Sequence, residues 1–331
     1  MRIKFLVVCL LLSVLFVSAA SLPDNFEETT LISMSDSVPS SVLVSYPATS
    51  PIAIVQLAHG MCEHKERYIS LMRFLSEKGY VCVINDHRGH GKSIKNANDL
   101  GYFYDGGYLA MIDDTYAVTT FIKQRYVGLP VYLFGHSMGS MVVRAYTKRY
   151  DDQLAGLIVC GSPSYNAANS IGQSITKCDT KKYGDHYRSA KMQKLSFGNY
   201  NKAFGEVSSP NAWICSDTAV VAQYDANPLC NFVFTSNGFY NLFALMDDAY
   251  ARKGWKLSNP QLPIWFISGE DDPCFISPKK FNQAVENMKK VGYVDVTSKL
   301  YPHMRHEILN EIDKQQVWDD VLRQLTLWQN K

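Results

Sequence analysis

Short, nearly continuous apolar runs alternate with amphipathic segments along most of the chain after its first 20 residues. The runs IAIVQLAHG, YVCVIND, VYLFGH, GLIVCGSP and PIWFISG end at turn residues, which predicts strands that are buried on both faces. The segments between them place apolar residues at helical spacing. After VYLFGH, for example, one helix face carries Met138, Met141, Val142, Ala145 and Tyr146. The pattern predicts an α/β protein with a mostly parallel central sheet and helices on both faces.

The pattern is different near the two ends of the predicted sheet. The segment SVLVSYPA, which begins at Ser41, could form an antiparallel edge strand. The segment VTSKLYP predicts a last strand. Residues 307–328 have helical spacing, and we expect a terminal helix that begins at His306.

The alternation stops between residues 165 and 258, which are polar and aromatic. This stretch is too long for a loop inside a compact domain. It predicts a helical cap, or lid, inserted after the sixth core strand, so that the core consists of residues 21–164 and 259–331. The segment FVFTSNGFYNLFALM within it could line a channel for an acyl chain or simply pack the cap on the core.

The first 20 residues have the pattern of a secretory signal peptide. Arg2 and Lys4 precede an apolar run at residues 5–20 that ends in small residues. The run is short for a membrane span. We expect cleavage and entry into the secretory pathway, and an uncleaved signal anchor is the alternative.

Composition excludes several other classes of function. The 331 residues are 47% hydrophobic and 19% charged, with a formal net charge of +2 that falls to 0 without Arg2 and Lys4. The chain has no run rich in Lys and Arg, so we do not expect a nucleic-acid partner.

The chain has no Cys-x-x-Cys motif, so we expect no zinc site and no other cofactor. A disulfide bond among Cys178, Cys215 and Cys230 is plausible, with its pairing open.

Ser137 lies where a predicted strand passes into a predicted helix. Gly135 and Gly139 complete the pattern Gly-x-Ser-x-Gly around it. Such a turn exposes the serine hydroxyl, and flanking glycines are needed because side chains would clash where the helix crosses the strand. This context predicts a nucleophile, and a glycine-rich helix entry is the alternative.

A nucleophilic serine needs a base, and the base needs an acid that orients it. In this architecture both follow the serine, on loops after later strands. The strand PIWFISG ends at Asp271 and Asp272, and VTSKLYP is followed by His303 and His306. We expect Asp272 and His306 to serve, with the neighbouring Asp271 and His303 as alternatives.

The negative charge that forms on the substrate oxygen also needs donors. The backbone N–H of Met138, directly after the serine, is one candidate. The loop that starts at His59 and Gly60 follows an earlier strand, and the N–H of Met61 in it is the second candidate. An ordinary strand-to-helix turn is the alternative for that loop.

The motifs HGMCEHKERY, NDHRGHGKS, GHSMGS, GEDD and YPHMRHEILNE together resemble the monoacylglycerol lipase and lysophospholipase branch of the α/β-hydrolases, which is grouped with the serine aminopeptidase-like (S33) hydrolases. The resemblance spans nearly all of the chain after the leader. It extends into the cap, where FGNYNKAF, AWICSD and NPLCNFVFT look like bacterial members.

The resemblance implies an α/β-hydrolase fold and gives roles to the five residues already named. It also implies that Glu63 and Arg67 hold the polar end of a substrate, and a loop-stabilising ion pair is the alternative. The sequence departs from the family at three positions. Cys62 replaces a glycine, Leu309 replaces a histidine near the glycerol end, and His303 replaces a common glycine.

We therefore expect a secreted serine hydrolase that cleaves carboxylic esters of single-chain lipids, either monoacylglycerols or lysophospholipids. The cap could touch a membrane or micelle surface transiently. One alternative is a peptidase of the proline-iminopeptidase type, which would need an acidic subsite for a free α-amino group. Another is a secreted binding protein on an inactive hydrolase scaffold.

Overall fold

A computed structural model of the chain describes residues 22–330. The predicted signal peptide at residues 1–20 lies outside the described residues. Within the described part, eight strands form one sheet in the order β1-β2-β4-β3-β5-β6-β7-β8. The strands are β1 (Phe26–Ile32), β2 (Pro39–Ser45), β3 (Ala53–Ala58), β4 (Tyr80–Asn85), β5 (Val131–His136), β6 (Gly156–Cys160), β7 (Ile264–Gly269) and β8 (Val296–Tyr301).

Strands β3 to β8 run parallel to one another, and β2 pairs antiparallel with both β1 and β4. Every residue of β3, β4, β5, β6 and β7 is buried, which confirms the prediction from their continuous apolar runs. The antiparallel direction of β2 is also confirmed, but its predicted place at the edge is wrong. The edge strand is β1, whose polar sequence FEETTLI gave no apolar run to recognise.

The α-helices of the described part are α1 (Ile69–Ser76), α2 (Gly107–Arg125), α3 (Met138–Tyr150), α4 (Asn169–Tyr183), α5 (Ala190–Phe197), α6 (Thr218–Ala226), α7 (Ser236–Tyr250), α8 (Pro278–Val291) and α9 (Lys314–Gln329). The predicted start of the last helix at His306 is wrong, because α9 begins at Lys314. Two tertiary bonds hold the preceding loop out of a helix. Glu307 N donates to Ile214 O at 2.6 Å, and Arg305 N donates to the Glu311 carboxylate at 2.8 Å.

Side chains on the two faces of the sheet form separate hydrophobic layers. In β4, Val81 and Val83 point into the layer covered by α2, α3, α7 and α8, while Cys82 and Ile84 point into the layer covered by α1 and α9. This alternation follows from the strand period of two. The sheet is therefore covered on both faces, as the sequence pattern predicts.

Residues between β6 and β7 contain the helices α4, α5, α6 and α7, and the stretch predicted to form a cap lies within this insertion. Helix α7 packs on α4 and also on α2 and α3 of the core. No helix among residues 22–330 is long and apolar enough to span a bilayer. The seven cysteines of this part, including Cys178, Cys215 and Cys230, are all free thiols.

Candidate active site

Ser137 occupies a strained turn between β5 and α3. Its backbone has φ 55° and ψ −120°, a conformation that non-glycine residues rarely adopt. A β-carbon on Gly139 would lie 2.1 Å from the carbonyl oxygen of Ala58, and one on Gly135 would lie 2.4 Å from the carbonyl oxygen of Gly139. Neither position tolerates a side chain. The two glycines therefore let α3 cross close to the sheet while the turn holds Ser137 at its carboxyl edge.

His306 lies between Ser137 and Asp272. Its Nε2 is 2.8 Å from the Ser137 hydroxyl oxygen, and its Nδ1 is 2.9 Å from Asp272 Oδ2. The structure thus brings together the three side chains that the sequence favours. The alternative residues lie elsewhere: Asp271 is exposed, and His303 is exposed in a turn with φ 61°.

Asp272 is held as a buried carboxylate. Its Oδ2 accepts from Ser268 Oγ at 2.8 Å, and its Oδ1 accepts from the backbone N–H of Cys274 at 2.8 Å. Burial alone would raise the pKa of Asp272, but the facing His306 and these hydrogen bonds hold that pKa below its usual value. The residue is therefore ionised near neutral pH and fixes the orientation of the His306 ring.

The loop after β3 (residues 59–64), which we call the oxyanion loop, lies directly beside Ser137. A β-carbon on Gly60 would be 3.0 Å from Cβ of Ser137. His59 holds this loop from behind, because its Nδ1 is 2.8 Å from Gly60 O and its Nε2 accepts from the His87 N–H at 2.9 Å. Cys62, the departure from the family pattern, has φ 56°, where a glycine would be unstrained.

Met61 and Met138 are the residues whose N–H groups we expect to bind the substrate oxyanion. Met61 lies within this loop and Met138 opens α3 directly after Ser137. An oxyanion hole of this fold takes one donor from the residue after the serine and one from the loop after an earlier strand, which is where these two residues lie in the chain. Their role remains a prediction.

The buried Glu63 and the largely buried Arg67 belong to an ion network behind the loop. Arg67 Nη1 donates to Glu63 Oε2 at 2.8 Å, and its two terminal nitrogens donate to the two carboxylate oxygens of Glu307, each at 2.6 Å. Glu63 Oε1 accepts from the Gly60 N–H at 2.5 Å and from the Tyr68 hydroxyl at 3.0 Å. The assignment of Glu63 and Arg67 to the polar end of a substrate stays a prediction.

Sequence reasoning did not identify Glu307, although it directly follows the candidate base. Leu309 is buried among apolar side chains in the layer that α1 and α9 cover. In space, Arg67 lies between Glu63 and Glu307 and pairs with both. The sequence does not reveal this grouping, because 240 positions separate Arg67 from Glu307.

Aromatic residues from the insertion cover the site. The Trp213 ring centroid is 5.0 Å from that of His306, and Tyr200 packs edge-on against Trp213 at 4.9 Å. Arg305 Nη1 donates to Ala212 O at 2.6 Å and so ties this part of the insertion to the loop that carries His306. By contrast, most of the predicted acyl-channel segment forms α7, whose buried face packs on the core.

One group of described side chains brings possible ligand atoms of a metal within 4.8 Å of one another: Asp272, Cys274 and His306. Hydrogen bonds to Asp272 and Ser137 already engage both ring nitrogens of His306. Burial raises the pKa of the Cys274 thiol well above its usual value, so that side chain is a neutral thiol. Asp272 and His306 of this group therefore belong to the hydrogen-bonded series Ser137–His306–Asp272 rather than to a separate metal centre.

The sheet order, the strained serine turn and the Ser137–His306–Asp272 line define an α/β-hydrolase. Residues 49–313 match the family described as "Serine aminopeptidase, S33". This match spans well over half of the chain, so the protein belongs to that family. It is a serine ester hydrolase of the branch that includes monoacylglycerol lipases.

Known proteins with similar sequences and structures support this placement. A monoacylglycerol lipase of Mycolicibacterium smegmatis is 26% identical over 83% of this chain and 88% of its own length. A thermostable carboxyl esterase from Bacillus coagulans, solved in complex with glycerol, is 27% identical with a TM-score of 0.85, covering 92% of this chain and 99% of the esterase. A monoglyceride lipase from Saccharomyces cerevisiae shares the fold, with 19% identity, a TM-score of 0.69 and coverage of 94% and 97%.

Proposed function

We propose that the protein hydrolyses carboxylic esters of single-chain lipids, with Ser137 as nucleophile, His306 as general base and acid, and Asp272 as the orienting acid. The observation that carries this proposal is the position of His306, which is within hydrogen-bond distance of both Ser137 and Asp272. Two contacts of this length align a proton path from hydroxyl to imidazole.

The reaction follows from this alignment. His306 Nε2 removes the Ser137 proton as the hydroxyl oxygen attacks the ester carbonyl. The N–H groups of Met61 and Met138 stabilise the resulting oxyanion. The imidazolium then protonates the leaving alcohol as its bond to the carbonyl carbon breaks. The acyl group stays bound to Ser137. Water, deprotonated by His306, releases the fatty acid by the same route, while ionised Asp272 stabilises the imidazolium throughout.

Relatives and the aromatic cover support a lipid substrate with one acyl chain. The M. smegmatis relative is named a monoacylglycerol lipase, and the B. coagulans esterase was solved with glycerol bound. Phe197, Tyr200 and Trp213 form an apolar aromatic cluster against the His306 ring, which suits an acyl chain. Monoacylglycerols and lysophospholipids both meet this description.

The contacts of Glu63 disfavour the peptidase alternative. A proline-iminopeptidase would need a free carboxylate for the substrate α-amino group, and Glu63 is one candidate that the sequence offers for it. Its side chain is only 4% exposed and already pairs with Arg67. A second alternative, a binding protein without activity, predicts no reaction of Ser137 with any hydrolase probe.

Substitution of Ser137 by alanine tests the proposal. We expect S137A to lose p-nitrophenyl ester turnover and fluorophosphonate labelling by a factor of at least about 1,000, with unchanged circular dichroism. The matched control is S174A, at an exposed serine of α4. Labelled S137A protein would show that another residue is the nucleophile.

A substrate panel on the purified wild-type enzyme then separates the classes. Monoacylglycerol and lysophosphatidylcholine should be hydrolysed, and prolyl-naphthylamide should not. Turnover of the naphthylamide alone would establish the peptidase.

We further propose export through the secretory pathway and transient contact of the cap with a lipid surface. Mass spectrometry of the mature N-terminus and vesicle co-sedimentation test these two proposals, and an intact Met1 would contradict cleavage.

A further inference from the structure

His136, directly before Ser137, has an acceptor on each side of its ring. Its Nδ1 is 3.3 Å from Glu63 Oε1, and its Nε2 is 3.2 Å from the backbone carbonyl oxygen of His306. A carbonyl oxygen and an ionised carboxylate have no proton to donate, so each contact is a hydrogen bond only if the ring nitrogen carries the proton. Both contacts together require an imidazolium cation.

The carboxylate of Glu63 is ionised. It accepts from Gly60 N–H, Tyr68 hydroxyl and Arg67 as well as from His136. Burial alone would raise the pKa of Glu63, but the hydrogen bond with His136 and the charge of Arg67 hold that pKa well below its usual value. An acid with four donors around it has no proton to give.

The surroundings of His136 also favour its charged form. The ring is buried, and burial alone would lower the pKa of His136, but its contact with Glu63 and the nearby charge of Glu307 raise that pKa above its usual value. The titratable and charged groups that face it come from the oxyanion loop and the turn after it, from the loop that carries His306 (residues 302–313, called the base loop), and from the neighbouring strand β6. They are Glu63, Arg67, Tyr68, His306, Glu307 and Cys160.

Two glycines leave the space that the His136 ring fills. A β-carbon on Gly60 would lie 3.3 Å from His136 Nδ1 and 2.7 Å from Glu63 Oε1. A β-carbon on Gly161, where φ is 55°, would lie 3.2 Å from His136 Nε2 and 3.3 Å from His306 Cε1. The ring is thus wedged between the oxyanion loop and the base loop, and both loops touch it.

We propose that doubly protonated His136 and ionised Glu63 form a positioning pair, which holds the oxyanion loop and the base loop at a fixed separation around Ser137. The inference rests on the proposed function of the same site. Glu63 fixes the Gly60 N–H on one side, and His136 fixes the His306 carbonyl on the other. Neither side chain touches substrate in this role, so both residues are positioning residues.

Loss of the His136 proton breaks this arrangement. The contribution of a group with a raised pKa is complete below its unfolded pKa of about 6.5 and disappears as the pH rises through its folded value. Above that value, Nδ1 or Nε2 loses its hydrogen bond, and one of the two loops is released. The turnover rate should therefore fall on the alkaline side in a step that belongs to His136.

Nitrogen-15 NMR of histidine-labelled enzyme tests the protonation state directly. At pH 7 both ring nitrogens of His136 should have shifts of protonated nitrogen, with the signals assigned by their absence in His136→Gln. E63Q should return His136 to a neutral tautomer at that pH. A neutral ring in the wild-type enzyme at pH 7 overturns the inference.

The kinetic arm uses E63Q against a matched control, E66Q, at a glutamate in the same turn that pairs with Lys65. E63Q should lower kcat by up to about 100-fold, with a smaller change in KM, because the loops shift relative to Ser137. Its alkaline limb should move to lower pH, while E66Q keeps the wild-type profile. Wild-type kcat and profile in folded E63Q would contradict the pair.

The two arms distinguish this inference from the proposed function. If the wild-type enzyme shows the imidazolium and its loss in E63Q but hydrolyses no ester, the pair stands and the proposed reaction fails. If the enzyme hydrolyses esters and His136 is neutral, the reaction stands and the pair fails.

Discussion

Arg67 and Glu307 form a two-pronged ion pair, with both nitrogen-to-oxygen distances at 2.6 Å, that joins the turn after the oxyanion loop to the residue after His306. Such a bidentate pair fixes direction as well as distance. It therefore couples two loops that are far apart in the chain, and it connects the network of Glu63 with the loop that carries His306, the candidate base.

The first prediction concerns this pair. R67M should destabilise the protein by about 3–5 kcal/mol, because it leaves two buried carboxylates, Glu63 and Glu307, without their cation. Urea unfolding measures the loss. The matched control is R73M, at an exposed arginine on α1, which should change stability by no more than about 0.5 kcal/mol. A loss for R67M no larger than that of R73M would show that the network contributes nothing.

The second prediction separates two adjacent carboxylates. D272N should lower kcat by about 10,000-fold, because an amide stabilises the wrong tautomer of His306 and cannot stabilise its imidazolium. D271N changes an exposed neighbour and should keep wild-type turnover. Steady-state ester hydrolysis is the measurement. Equal losses in the two variants would remove Asp272 from its proposed role.

The third prediction concerns acid stability. The pKa of Glu63 is lowered in the folded state, so its stabilisation is complete above the unfolded value of about 4.3 and is lost as the pH falls through the folded value. The free energy of unfolding should therefore fall from about pH 5 downward. E63Q should show a shallower fall, and E286Q, at an exposed glutamate of α8, should follow the wild type. Parallel curves for E63Q and wild type would contradict this assignment.

The fourth prediction concerns the aromatic cover. W213A removes the ring that lies 5.0 Å from the His306 ring. We expect KM for long-chain p-nitrophenyl esters to rise about tenfold, since a buried aromatic contact contributes on the order of 1.5 kcal/mol. The acetate ester, whose acyl group has only two carbons, serves as the internal control and should keep its kcat/KM within about twofold. An equal effect on both esters would place Trp213 in the catalytic geometry instead.

Periodicity alone identified most of the sheet because buried parallel strands must be apolar along their whole length. That reasoning worked for the strands β3 to β7 and failed for β1, where half-buried and exposed positions alternate and residues 27–30 are all polar. It failed again at residues 307–313, where helical spacing exists but bonds to Ile214 and from Arg305 prevent a helix. Local sequence carries no trace of such distant partners.

What the sequence by itself determined is the order of chemical parts: a serine between glycines after one strand, an aspartate after a second and a histidine after a third. Those positions follow from local sterics and from the common edge of parallel strands. The tertiary structure places Asp272 rather than Asp271, and His306 rather than His303, in the hydrogen-bonded series with Ser137, and it surrounds Glu63 with donors. Such choices depend on distances of about 3 Å between residues far apart in the chain, and only the packed fold sets those distances.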